Sequence, residues 1–175
     1  MTPRRTTPRP RRLGRPSRRR ADPLRQHVSS LLDWHNAHVT FDDAIAGIPR
    51  ELHGTQSEGL PYSLWQLLEH LRLCQWDILD YVVNPAYTEK NWPQDYWPPA
   101  PRPPSPQAWD ESITGFKKDL AALKRLTANP KIDLLGDIPH ARGVTYLREL
   151  LLVADHNAYH VGQIVAVRRL LGAWK

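Results

Sequence analysis

Residues 145–171, TYLRELLLVADHNAYHVGQIVAVRRLL, constrain the fold more than any other stretch. They read as one long helix with apolar residues on most sides: Leu147, Leu150, Leu151, Leu152, Val153, Ala154, Val161, Ile164, Val165 and Val167. A helix apolar nearly all round is buried on several sides, so this is a central helix, or one shared with a second subunit. Its ends are well marked. Thr145 can cap the start, Glu149 brings negative charge to the first turns, Arg168 and Arg169 bring positive charge to the last, and Gly172 suits the position after the end. A polar stripe of Glu149, His156, His160 and Gln163 crosses this apolar helix, with Gly162 beside it to allow close approach. His156 and His160 are at i, i+4, so both imidazoles share a face one turn apart. They can reach one metal ion, at about 2.0–2.1 Å per Zn–N bond, or serve as hydrogen-bonded core histidines.

The rest of the chain supplies helices for this one to pack against. A first helix is predicted from Pro23 to about Ala46, capped by Asp22 and ended by Gly47 and Pro49. It carries His27, His35 and His38, read as structural or surface residues, with His38 nearest the core or a pocket rim. A loop follows over Arg50–Pro61. A second helix opens at Ser63, with Gln66 three residues on as a capping box, and stops at Asn84-Pro85. His70 shares a side of it with Gln66, Leu67, Leu73, Cys74 and Asp77, which makes it a third candidate ligand. Cys74 is a fourth ligand or, on the simpler reading, a buried inert thiol.

Pro85–Pro104 is dense in proline and aromatic residues, including Tyr87, Trp92, Tyr96 and Trp97, and cannot be helical or a central strand. It is too long for a simple hairpin between helices and can cross the length of a bundle. Its aromatics are read as a cover on one flank of the core, with a lid or pocket wall as the alternative. A third helix runs from Ser105-Pro106 to Asn129-Pro130. The following segment through Gly143 is read as a loop with His140 on the surface. No repeat, strand-period pattern, phosphate-type glycine loop or C-x-x-C is present. The sum is an all-α protein, a four-helix bundle in up-down-down-up order with the long connection between its second and third helices. Metal sites in bundles are built from inward side chains of facing helices, and His70 with His156 and His160 fit that plan as an open three-histidine site.

Charge separates the tail from the body. The net charge is +6, but residues 1–20 hold nine arginines and no acid, so the remainder stands near −3. The body is therefore no basic nucleic-acid surface. Residues 1–22 read as a disordered basic tail, capable at most of a weak, salt-sensitive contact with nucleic acid, and residues 23–175 as the folded domain. A single cysteine excludes an internal disulfide and suits a reducing compartment. No apolar run is long enough to span a bilayer, and no secretory core follows the arginines. The expected setting is cytoplasmic.

From Pro23 onward the chain resembles the DinB superfamily of small helical metalloproteins. The resemblance is carried by SLWQLLEHLRLCQWDILDYVVNP, by DIPHARG and, most specifically, by DHNAYHVGQIVAVRRLLGAW with its H-N-x-x-H-x-G-Q. It implies an up-down-down-up bundle, often a homodimer, binding zinc, nickel or iron, and places the family's ligands on His70, His156 and His160. Relatives include transferases and isomerases that use small thiols such as mycothiol, bacillithiol or glutathione. The expectation is a metal-dependent enzyme that activates a small thiol, or water, against an electrophilic small-molecule substrate, with a hydrolase or a non-enzymatic metal-binding bundle as alternatives. Asp77, Glu149 and Gln163 are the candidates for orienting the ligands.

Overall fold

The computed structural model describes residues 22–33 and 37–174. The basic tail, apart from Asp22, lies outside the described residues, as do Trp34 and His35. Among the described residues there are five α-helices and one two-stranded sheet: α1 (Pro23–Leu31), α2 (Phe41–Ile45), α3 (Leu64–Val83), α4 (Ala108–Ala128), β1 (Asp137–Ile138), β2 (Ala141–Thr145) and α5 (Tyr146–Leu170). None of the described helices is long and apolar enough to cross a membrane. α3 packs against both α4 and α5, and α1 lies across α4 and α5.

The predicted first helix is two helices. α1 starts as expected, with Asp22 accepting a hydrogen bond from the Leu24 amide and Pro23 in the first turn. It ends at Leu31, and Thr40 opens a new helix with its own capping box: Thr40 Oγ1 accepts from the Asp43 amide, and the Asp43 carboxylate accepts from the Thr40 amide. That reciprocal cap fixes extended backbone at Thr40 and is incompatible with a continuous helix through it. Buried Arg168 ties α2 to the end of the chain, donating to the carbonyls of Asp43, Ala44 and Ala173.

The second departure is the segment before α5. Read as a loop, it contains an antiparallel pair, β1 with β2, in which Ile138 faces Ala141 and an irregularity separates that pairing from Asp137 opposite Thr145. Gly143 takes φ +83 there, and its amide donates to Asp137. Strands of two and five residues are too short to show an alternation in sequence. The hairpin ends on Thr145, whose hydroxyl accepts from the Arg148 amide and caps α5.

The core has two apolar clusters. One gathers Leu64, Leu67, Leu68, Leu71, Trp109, Phe116, Val161 and Ile164; the other gathers Val28, Leu123, Leu134, Leu150 and Val153. Between them lies a polar level. Buried Gln75 of α3 donates to the Phe116 carbonyl of α4 at 2.7 Å and accepts from Asn157 of α5 at 2.9 Å. The long connection returns over the start of α3, where Ser63 donates to the Pro101 carbonyl and Gln66 to the Pro98 carbonyl. These two bonds set Tyr96 and Trp97 beside the next turns of α3.

Candidate metal centre

His70, His156 and His160 converge, each offering a ring nitrogen within 4.8 Å of the others. His70 comes from α3; His156 and His160 come from successive turns of α5. His70 Nε2 lies 3.1 Å from His160 Nε2 and 3.2 Å from His156 Nε2. Nitrogens bonded at about 2.0–2.1 Å to one tetrahedral zinc stand about 3.3 Å apart. The two distances from His70 have that spacing.

The proton positions decide what the cluster needs. His70 Nδ1 lies 2.9 Å from the Tyr96 carbonyl, which can only accept, so that nitrogen carries the proton and Nε2 the lone pair. His160 Nδ1 lies 2.7 Å from Gln163 Oε1, which fixes the same tautomer. The two Nε2 atoms therefore meet lone pair to lone pair. Protonating one ring would relieve this, but burial pushes His70 down to about 4 and lowers His160 as well. His156 is also pushed down to about 4, by burial first and then by His160 and His70, with the Asn157 side chain opposing. At neutral pH the cluster is three neutral imidazoles: His70 and His160 turn lone pairs toward one another, and His156, whose Nδ1 has no hydrogen-bond partner, adds a third ring nitrogen 3.2 Å from His70. The residues fit a divalent metal and can hold one.

A family model for the DinB superfamily matches residues 33–164. The chain belongs to the DinB superfamily. Comparison with curated proteins and with solved structures finds no match.

The three candidates for orienting the ligands of this DinB-superfamily chain are placed differently. Gln163, three residues after His160, contacts it. Asp77 and Glu149 take other partners. A spacing of seven residues keeps a side chain on the same helix face but about 10 Å away along the axis, beyond the reach of a carboxylate. Asp77 accepts from the Tyr96 hydroxyl at 2.9 Å and the Tyr87 hydroxyl at 3.2 Å. It acts on the cluster through Tyr96, whose carbonyl meets His70. Glu149 is buried and pairs with Arg148. Cys74 Sγ sits 3.5 Å from His70 Nδ1, and burial with the nearby Asp77 charge pushes its thiol up to about 12, so it stays protonated at neutral pH. Gly162 is exposed and a Cβ there would meet nothing within 4 Å, so it serves no close approach inside this chain. Of the other histidines, His27, His38 and His140 are exposed, and His140 bonds the Tyr81 carbonyl.

The Pro-rich connection is a wall of the site, the alternative set against the flank cover. Trp97 stacks on His70 with ring centroids 3.7 Å apart, and Tyr62 stacks on Trp97 at 4.3 Å. Neither the Trp97 stack nor the Tyr96 carbonyl follows from helical spacing. The one available signal was the concentration of Trp92, Tyr96 and Trp97 in a proline-rich segment.

Proposed function

We propose that this protein is a metal-dependent enzyme in which His70, His156 and His160 hold one divalent transition metal, zinc, nickel or iron, and leave a position for a small thiol or water. The observation that carries the reading is the meeting of two imidazole lone pairs at 3.1 Å, with both Nδ1 protons committed elsewhere. A divalent metal held there favours the deprotonated, nucleophilic form of a bound thiol or water. The chain's own residues do the rest. Tyr96 and Gln163 hold His70 and His160 in the ligating tautomer. Trp97 shields one ring face of His70 from water. Three neutral ligands would leave the metal's full charge to favour the deprotonated form of a thiol or water for use against an electrophilic small molecule. Cys74, protonated and buried, is not that nucleophile. The up-down-down-up helix order, a cytoplasmic setting and a homodimer belong to the same reading, the last supported by the exposed Leu151, Leu152 and Leu170 of α5.

The test is elemental mass spectrometry on the full chain beside His70→Ala and His160→Ala, followed by assay of the loaded protein with an electrophile, with and without a small thiol. Near one equivalent of metal, lost in both variants, with turnover that requires the thiol, is the expected result. Turnover without thiol would make it a hydrolase, and a protein that takes up no metal would end the reading.

A further inference from the structure

Among the described residues, Trp92 and Tyr159 are the only exposed aromatic side chains. Both abut the histidine cluster. Trp92 is 66% exposed, and its ring centroid lies 6.3 Å from that of His70; Tyr159 is 64% exposed and 4.9 Å from that of His160. They arrive from unrelated parts of the chain, Trp92 from the proline-rich connection and Tyr159 from α5. Every other aromatic residue that is described is at least partly buried. Trp97, the other ring at the site, already has His70 and Tyr62 stacked against it. Among the described residues the two cation–π contacts, Lys90 on Trp76 and Arg168 on Trp174, lie on other rings, so no described lysine or arginine covers Trp92 or Tyr159.

Single exposed apolar side chains need no explanation, but exposed rings gathered at one functional cluster do. Large aromatic side chains give the most area per residue to an interface and lose little entropy in doing so. We propose that Trp92 and Tyr159 form an aromatic rim over the histidine cluster that receives an aromatic ring of the small-molecule substrate. This rests on the reading of the cluster as the reaction centre. The rim selects a flat π-system over a saturated group of the same size, because offset and edge-on ring contacts add to simple burial.

The experiment compares benzyl alcohol with cyclohexylmethanol, two probes of like size and polarity that differ in aromaticity. Binding to the full chain is followed by ligand-observed NMR in wild type, in Trp92→Leu and in the Trp92→Leu/Tyr159→Leu double variant, with metal content and sedimentation measured on the same samples. Both substitutions are at exposed positions and keep the fold. The expected result is about a 5-fold preference for the aromatic alcohol in wild type, falling to about 2-fold or less in the double variant with metal content unchanged. Equal binding of the two alcohols would overturn the proposal, as would a preference that survives in the double variant. So would a double variant that converts a dimer to a monomer without changing ligand binding, since the rim would then be an interface with a second copy. Metal present with no ring preference fails this inference alone. A ring preference with no metal bound supports the rim and fails the metal reading instead.

Discussion

Two of the polar contacts that cross from α3 to α5, about one helical turn apart, are chemically opposite. On one side Gln75 meets Asn157, an amide oxygen accepting from an amide N–H. On the other His70 meets His160, two nitrogens with no proton between them. In the first pair donor faces acceptor, and the Gln75 amide also donates to the Phe116 carbonyl, while the Asn157 Oδ1 has no hydrogen-bond partner. The second is incomplete in a directed way, because the Tyr96 carbonyl and Gln163 hold the protons on the far side of each ring. A buried pair in which a donor meets an acceptor holds two helices together. A buried pair that presents only lone pairs is a binding site for a cation. The two sets should therefore separate under substitution, the histidines governing metal and the amides governing stability.

The largest separation is at the ligands. His70→Ala or His160→Ala should abolish stoichiometric metal binding, read by elemental analysis, while the fold persists by circular dichroism. Loss of metal in Gln75→Leu as well would collapse the distinction.

Acid should act on one region and not the other. In metal-free protein, His70 and His156 stay neutral down to about 4, whereas unfolded histidines take up protons below about 6.5. Between those values the unfolded chain binds more protons, so stability falls as pH is lowered from about 6.5 to 4 and is flat above. The slope is about 1.4 kcal/mol per pH unit for each such histidine. Denaturant melts of chelator-treated protein across this window should show it, and His70→Ala should remove only the His70 share, leaving that of His156. The amide pair has nothing to titrate.

Gln75→Leu is the converse test. It strands the Asn157 amide in the core and should cost about 1–3 kcal/mol, with metal stoichiometry unchanged. Gln75→Leu/Asn157→Leu removes both partners and should recover part of that loss, since an apolar pair leaves no donor unmet. Thermal melts of both variants measure it.

What could be read in the sequence follows from what periodicity encodes. α3, α4 and α5 were legible because their apolar spacing and their caps, Ser63 with Gln66 and Thr145, are local signals. The convergence of His70 with His156 and His160 was legible because it needs only two helices facing each other. The break at Thr40 went unread because the apolar pattern runs on through it, and the Thr40–Asp43 cap competes with that pattern. The hairpin over 137–145 is too short to show a period. Tyr96 and Trp97 reach His70 through backbone carbonyls of Pro98 and Pro101 bonded to the start of α3, and a carbonyl contact leaves no trace in residue type. Asp77 and Glu149 were placed on the right face and two turns too far away.

Gln163 lies on the border between the two regions, an amide like Gln75 that serves a ligand. Gln163→Leu removes the acceptor that fixes the His160 tautomer and should lower metal affinity about 10- to 100-fold, by competition with a chelating dye, with little change in melting temperature. Gln163→Glu keeps an acceptor and should recover most of it. Equal loss in both variants would mean that packing alone orients His160.

The smallest effect belongs to the outermost link. Asp77 holds the Tyr96 hydroxyl, the Tyr96 carbonyl holds His70, and Tyr87 gives Asp77 a second donor. Tyr87→Phe removes that second donor and leaves the first, so it should cost about 0.5–1.5 kcal/mol of stability. Metal affinity should change by less than about 10-fold, the lower bound expected for a direct ligand partner. Tyr96→Phe should do more, because it takes the shorter bond from a nearly buried carboxylate, yet it leaves the carbonyl in place. Should either variant match Gln163→Leu in metal affinity, the proline-rich connection would be setting the geometry of the centre rather than covering it. His70 would then be the ligand the chain controls through a loop, and His156 and His160 the pair it fixes through a helix.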